Sequence, residues 1–243
     1  MSLNAPQREA VLYTNGPLLV LAGAGSGKTR VITEKIAHLI ATGAAITFTN
    51  KSAKEMKERV AKRVRGDAAE GLTISTFHAL GLRFLQQEAA RAGLKRGFSV
   101  FDSDDQMGIV KDLMPPGTKN DVLERLRGLV SRAKNEAMTP EQAMAIAKSA
   151  VEREAAALYA KYQQRLAAFN AVDFDDLIRL PVTLLEADPD FAAGWRERIR
   201  YLLVDECQDT NGAQYRLLKQ LAGPKGSFTC VGDDDQSIYA WRG

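Results

Sequence analysis

Residues 18–29 read LLVLAGAGSGKT, an apolar run followed by a glycine-rich turn that closes on Gly27-Lys28-Thr29. Those residue types in that order are suited to gripping a chain of phosphates. Glycines let the backbone approach closely and aim several N–H groups at one anion. A helix beginning near Lys28 adds the positive end of its dipole. The Lys28 ammonium supplies a mobile positive charge for the outer phosphates, and the Thr29 hydroxyl is placed to ligate Mg²⁺. The usual pattern is G-x-x-x-x-G-K-[ST], and its first position here is Ala22. Ala22, Gly23, Ala24, Gly25, Ser26, Gly27, Lys28 and Thr29 therefore form the candidate loop for a nucleoside triphosphate.

A triphosphate site that turns over also needs a metal carboxylate and a group to activate water. Tyr201-Leu202-Leu203-Val204-Asp205-Glu206 is an apolar strand running into two carboxylates. Asp205 is the expected Mg²⁺ ligand and Glu206 the expected general base. Further on, Val231-Gly232-Asp233-Asp234-Asp235-Gln236 resembles another strand emerging at the same edge. The Gln236 amide can bond a phosphate oxygen and a water together, and so can report whether the outermost phosphate is present. Tyr239 and Trp241 follow closely. They are either core aromatics or a link from phosphate state to a stacked base. Thr47-Phe48-Thr49-Asn50-Lys51 and Thr76-Phe77-His78 share a format of hydroxyl, aromatic and polar group at a strand end. Hydroxyls and amides contact phosphodiesters and aromatics stack on unpaired bases, whereas a buried Phe beside a capping Thr is the structural alternative.

The elements that must position these groups follow from periodicity. Asn4 reads as the cap of a first helix, with Pro6 early in it. A strand at about 17–22 leads through the loop into a helix reaching about Ala41. Strands are expected at 44–49, 73–77, 200–206 and 227–233. A basic amphipathic helix with Ala53, Met56, Val60 and Val64 on one face follows the second strand. From about 98 to 186 helical patterns dominate, broken at MPPGTKN (114–120), and residues 141–169 read as one long alanine-rich helix. Strands alternating with helices around a phosphate loop predict an α/β fold, a parallel sheet with helices on both faces. The helical block reads as a second subdomain on that platform.

Composition narrows the class. The chain has 243 residues, 45% hydrophobic and 26% charged, as a soluble globular protein does. No apolar stretch is long enough to span a membrane, and the N-terminus lacks a secretory pattern. Two cysteines and two histidines make neither a disulfide framework nor a zinc spacing, which fits a reducing cytoplasm. A net charge of +3 permits nucleic-acid binding without arguing for it.

Taken together, LNAPQREAV, AGAGSGKTR, ITFTNKSAKEMKERV, TISTFHALGLRFL, AVDFDDLI, LLVDECQDTN and VGDDDQSIYAWRG resemble the UvrD/Rep/PcrA family of superfamily 1 DNA helicases. They occur in the family's order and cover nearly the whole chain. Alanine at the Ala22 position is common in that family. The resemblance implies a RecA-like P-loop NTPase sheet whose ATPase domain comprises residues 1–85 and 187–243, with an inserted helical subdomain at 86–186. It also implies a bacterial, cytoplasmic, nucleoid-associated helicase that uses ATP and Mg²⁺. Such a helicase moves 3′→5′ on single-stranded DNA and acts at junctions of single- and double-stranded DNA.

Residue roles follow from the same resemblance. Gln7 resembles the glutamine that reads adenine, and Arg30 the arginine near the base or sugar. Phe48 resembles an aromatic lining a base pocket, with Thr47, Asn50, Thr76 and His78 along the same track. Trp241 resembles a base-stacking tryptophan, with Tyr239 and Arg242 coupling phosphate sensing to that stack. Cys207 stands where the family usually carries an aromatic, and reads as a small packing substitute. The connection between Ala41 and Ile46 is shorter than usual. That connection and the stop at Trp241-Arg242-Gly243 suggest an incomplete chain lacking the second motor domain. Such a chain is expected to bind nucleotide weakly, hydrolyse poorly and not unwind DNA. Two other classes stand beside this reading. One is a phosphate-loop NTPase or kinase that never meets DNA, and the other a binding module without turnover.

Overall fold

The computed structural model describes residues 3–23, 25–39, 43–47, 50–62, 73–199, 201–224 and 226–233, and of 43–52 the backbone only. In chain order the helices are α1 (Ala5–Leu12), α2 (Lys28–Leu39), α3 (Asn50–Ala61), α4 (Phe77–Gln87), α5 (Ser103–Leu113), α6 (Asn120–Asn135), α7 (Pro140–Ile146), α8 (Ala150–Ala168), α9 (Asp176–Ala187), α10 (Pro189–Arg198) and α11 (Gly212–Ala222). The strands are β1 (Leu18–Leu21), β2 (Gly43–Thr47), β3 (Thr73–Thr76), β4 (Ser99–Phe101), β5 (Ala171–Asp173), β6 (Tyr201–Val204) and β7 (Phe228–Gly232). The chain divides into two compact units. One takes the residues up to Leu80, Asp188–Thr210 and the segment from Leu218, and the other takes Gly81–Ala187 with Asn211–Leu217.

The first unit is an α/β structure. Its sheet has the order β1-β7-β6-β2-β3, with every neighbouring pair parallel. The register sets Leu21 opposite Gly232, Cys230 opposite Val204, Val204 opposite Ile46, and Thr47 opposite Thr76. The C-terminal ends of the five strands therefore lie along one edge, where open parallel sheets bind ligands. β6 is central, and all four of its residues are buried. Successive strand residues point to opposite faces, so both faces are covered there. One layer of the core joins Ile32 and Ile36 of α2 and Ala53, Met56 and Val60 of α3 to Ile74, Leu203 and Val231 of the sheet. Ala53, Met56 and Val60 recur at helical spacing, which is the face the sequence assigns to α3.

α1 begins with a capping box: the Asn4 side chain accepts from Gln7 N at 2.9 Å, and the Gln7 side chain accepts from Asn4 N at 3.1 Å. At its other end Lys35 of α2, fully buried, donates to the carbonyls of Ala10 (2.8 Å) and Tyr13, the donors that a helix C-terminus lacks.

The second unit packs α5, α6 and α8 around Ile109, Val110, Leu123, Leu126, Val130, Leu158, Tyr159, Tyr162 and Leu166. Two departures from expectation occur here. The run expected as one helix over 141–169 is two, α7 and α8, divided at Ala147–Ser149. The Ser149 side chain accepts from Glu152 N at 3.2 Å while the Glu152 carboxylate accepts from Ser149 N at 2.8 Å, so a capping box starts a new helix inside the alanine-rich run. A parallel pair, β4 with β5, also lies within the block read as helical.

Beneath these helices is a buried charge network. Lys134 Nζ lies 2.6 Å from Asp173 Oδ2 and 3.0 Å from Asp176 Oδ2, and Arg179 Nε donates to Asp176 Oδ1 at 2.8 Å. The Tyr162 hydroxyl donates to Asp173 at 2.9 Å, and Asp176 N caps the other Asp173 oxygen at 2.9 Å. Burial and the neighbouring Asp176 charge push the Asp173 carboxyl up. Asp175 is pushed up to about 6, first by burial and then by Asp173. Asp176, held by Lys134 and Arg179 against its burial, is lowered to about 2.

Candidate active site

The chemistry-bearing residues of the first unit collect at the C-terminal edge of its sheet. β1 delivers Ala22, whose N–H donates to the Gly232 carbonyl at 3.0 Å and ties the loop to the end of β7. The loop then turns on Ser26 N to Gly23 O (3.3 Å) and passes into α2 through Arg30 N and Val31 N, both bonded to Gly27 O. Gly25 (φ +72°) and Gly27 (φ +88°) take left-handed conformations that a side chain would strain. At Gly27 space is short as well: an added Cβ would lie 3.0 Å from Gln7 Nε2. Gln7 itself donates from Nε2 to the Ser26 carbonyl at 2.8 Å. α1 thus brings Gln7 to the loop, and both ends of its amide are engaged, Oε1 in the capping box and Nε2 on Ser26. Ala24 lies outside the described residues.

Lys28 and Thr29 open α2, with Arg30 half-buried in the same turn. Lys28 Nζ pairs with Asp233 Oδ2 at 3.0 Å, the two side chains being 9% and 3% exposed. The loop cation is therefore already matched by a carboxylate one residue beyond β7.

The carboxylate pair expected at 205 and 206 follows β6, which ends at Val204 rather than continuing to 206. Asp205 is buried, and burial followed by the adjacent Glu206 charge pushes its carboxyl up to about 6. Its Oδ1 accepts from Glu206 N at 3.1 Å. Glu206 adopts φ 52° and ψ 46°. This left-handed conformation costs a non-glycine residue about 1–2 kcal/mol, and such strain gathers at functional sites. Gln208 Nε2 donates to Glu206 Oε2 at 2.9 Å. Gln208 Oε1 in turn accepts from Asp233 N at 3.1 Å. Cys207 and Cys230 of β7 are both free thiols; a hydrogen bond between them and burial push the Cys230 thiol up.

The residues read as a DNA track are only partly described. Thr47 closes β2 and Asn50 opens α3, both at the same sheet edge as the loop. Thr76 is buried at the end of β3, where its Oγ1 accepts from Ala79 N at 3.2 Å and so caps α4. Phe77 and half-buried His78 lie in the first turn of α4 rather than on the strand. Phe48, Gln236, Tyr239, Trp241 and Arg242 lie outside the described residues.

Two residues that sequence reasoning gave no role belong to the site: Asp233, through Lys28, and Gln208, through Glu206. Both stand in the acidic and amide tracts that the sequence displays. Choosing them needs the β1–β7 register, which sets Leu21 against Gly232 and so brings Asp233 level with the loop.

Among the described residues no three His, Cys, Asp or Glu side chains converge as a metal centre. A Thr hydroxyl and one or two carboxylates are the sparse donor set of Mg²⁺ sites that draw their other oxygens from substrate phosphate and water. A divalent cation beside Asp205 would offset the Glu206 charge that helps to raise its carboxyl. The arrangement is that of an α/β protein with a glycine-rich loop beside paired carboxylates. The chain belongs to the UvrD/REP helicase N-terminal domain family, whose model matches residues 3–243. It is 51% identical over 252 residues to the ATP-dependent DNA helicase Rep of Escherichia coli, covering 100% of this chain and 37% of that protein. Rep of Buchnera aphidicola subsp. Acyrthosiphon pisum is 45% identical over 252 residues, covering 100% and 39%. The ATP-dependent DNA helicase PcrA of Staphylococcus aureus is 44% identical over 255 residues, covering 99% and 34%. The chain thus spans little more than a third of the length of these relatives. Among the described residues no helix is long and apolar enough to cross a membrane.

Proposed function

We propose that this chain is the N-terminal motor half of a cytoplasmic ATP-dependent helicase that moves 3′→5′ on single-stranded DNA and opens duplex at junctions, in DNA repair or replication. The observation that carries the reading is the meeting of Lys28, Asp233, Asp205 and Glu206 at one sheet edge, linked by the 3.0 Å Lys28–Asp233 pair. Membership of a helicase family supports the DNA part. In this account residues 1–85 and 187–243 form a RecA-like ATPase domain and 86–186 an inserted helical subdomain.

The loop from Ala22 to Thr29, including Ala24, cradles the phosphates of ATP, and Lys28 exchanges Asp233 for the outer phosphates. Thr29 Oγ1 and Asp205 would hold Mg²⁺, which would supply neutralisation of the negative charge of the phosphates. Glu206 accepts the proton of the attacking water. Gln7 reads the adenine edge by giving up one bond of its amide, and Arg30 lies against the base or sugar. Gln236 senses the outer phosphate and passes its state through Tyr239 to Trp241. Thr47, Phe48, Asn50, Thr76 and His78 line the path of the strand. A second motor domain of the same parent, for which the greater length of the relatives leaves room, supplies arginines to the outer phosphate; such arginines are worth about 10³–10⁵ in rate. Alone, this half is nearly inactive.

The test is ATP turnover by the full-length parent with and without single-stranded DNA. DNA-stimulated turnover that Glu206→Gln abolishes supports the reading. Turnover indifferent to DNA moves it to a phosphate-loop NTPase of another kind.

A further inference from the structure

We propose that Gln208 is a positioning residue for ATP hydrolysis, an amide clamp that fixes the Glu206 carboxylate to the end of β7. The inference rests on the reading of Glu206 as general base. Glu206 is held in a left-handed conformation, so its side chain leaves the chain in a direction that an ordinary turn would not give. A base aimed by one strained residue needs a second restraint, and Gln208 supplies it. Its Nε2 donates to Glu206 Oε2 at 2.9 Å, and its Oε1 accepts from Asp233 N at 3.1 Å. Both ends of one amide are used, and each meets a group of the matching kind: the carboxylate accepts from the amide N–H, and the amide oxygen accepts from a main-chain N–H.

The surroundings are shaped for this contact. A Cβ on Gly232 would lie 2.8 Å from Gln208 Oε1 and 2.7 Å from Cys207 Sγ. Glycine at the last position of β7 is what lets the amide reach the Asp233 backbone. Asp233 also holds Lys28 through its side chain. One residue therefore bonds the loop cation with its carboxylate and the clamp with its N–H. The line Lys28–Asp233–Gln208–Glu206 joins the phosphate-binding and water-activating halves of the site, and Gln208 is its only link that touches the base.

The test uses the full-length protein, with steady-state ATP turnover and Mg²⁺-nucleotide affinity measured on the same preparations. Gln208→Ala is expected to lower kcat by about 10–100-fold, the scale of a misplaced catalytic group, and to leave nucleotide Kd within about 3-fold. Gln208→Glu preserves volume but sets a like charge against Glu206, so it is expected to be no better than Gln208→Ala; a space-filling role predicts the reverse. In a Glu206→Gln background the Gln208→Ala change is expected to cost nothing further, because both act through one carboxylate. Circular dichroism melting of each variant separates loss of fold from loss of rate, and Gln208→Asn provides a milder substitution should alanine unfold the turn. The proposal is overturned by a kcat within 2-fold of wild type, by a Kd that weakens in step with kcat, or by additive effects in the double variant. If Glu206→Gln alone retains turnover, the assignment of the base fails and not the clamp geometry.

Discussion

Lys134→Met removes one ammonium from beneath two buried carboxylates. Its Nζ is fully buried and bridges Asp173 at 2.6 Å and Asp176 at 3.0 Å. After the change Asp176 keeps Arg179 and the Gln163 amide, while among the described residues Asp173 keeps the Tyr162 hydroxyl and one backbone N–H. Neutral donors do not offset a buried charge, so the variant is expected to lose about 3–5 kcal/mol, the cost of breaking a buried pair from one side. With a urea slope of about 2 kcal/mol per molar, the midpoint of the second unit falls by about 1.5–2.5 M. Far-UV circular dichroism reads the transition, and hydrogen exchange in α6 and α8 assigns it to this unit. The deficit should narrow on acidification. Asp173 is already raised by burial and by Asp176, and losing Lys134 raises it further. The folded variant then takes a proton before the unfolded chain does, so its stability relative to wild type rises as pH falls toward 5. Asp173→Asn in the same background should restore part of the loss by removing the stranded charge. A loss below about 1 kcal/mol, with no pH dependence, would refute the view that this network is an electrostatically closed unit.

Three further perturbations probe the first unit. Gly27→Ala forces a side chain into φ +88° and to 3.0 Å from Gln7 Nε2, and should weaken Mg²⁺-nucleotide binding at least about tenfold by calorimetry. Lys35 is lowered from its ordinary 10.5 to about 8 by burial, so the folded chain sheds this proton first and wild-type stability should rise between those values. Urea titrations at pH 7.5 and 10 should show Lys35→Met lacking that rise. Glu206→Gly relieves a left-handed residue and should raise the melting free energy by up to about 1 kcal/mol while abolishing turnover.

The glycine loop and the helix it opens were legible because local chemistry dictates them. Glycines at 25 and 27 have to bend left, an apolar run has to precede them, and Lys28 and Thr29 have to open the helix. What stayed hidden depends on partners distant in sequence. Lys28 is 205 positions from Asp233, and only strand register chooses that aspartate among three in a row. The charges of Lys134, Arg179, Asp173 and Asp176 have no apolar periodicity to announce them, yet they are buried because the two cations balance the two carboxylates. β4 and β5 have three residues each, too few for alternation to register. The break between α7 and α8 did carry a signal, Ser149 three residues before Glu152, which the surrounding alanines masked. The DNA track rests on resemblance, since Phe48, Tyr239 and Trp241 lie outside the described residues.

The most direct test of the central claim is Mg²⁺-dependent binding of a non-hydrolysable ATP analogue to this 243-residue chain, beside Lys28→Ala and Asp205→Asn. Saturable binding that needs Mg²⁺, is lost in Lys28→Ala and loses its Mg²⁺ dependence in Asp205→Asn is the result the account predicts. Binding untouched by either substitution would contradict it.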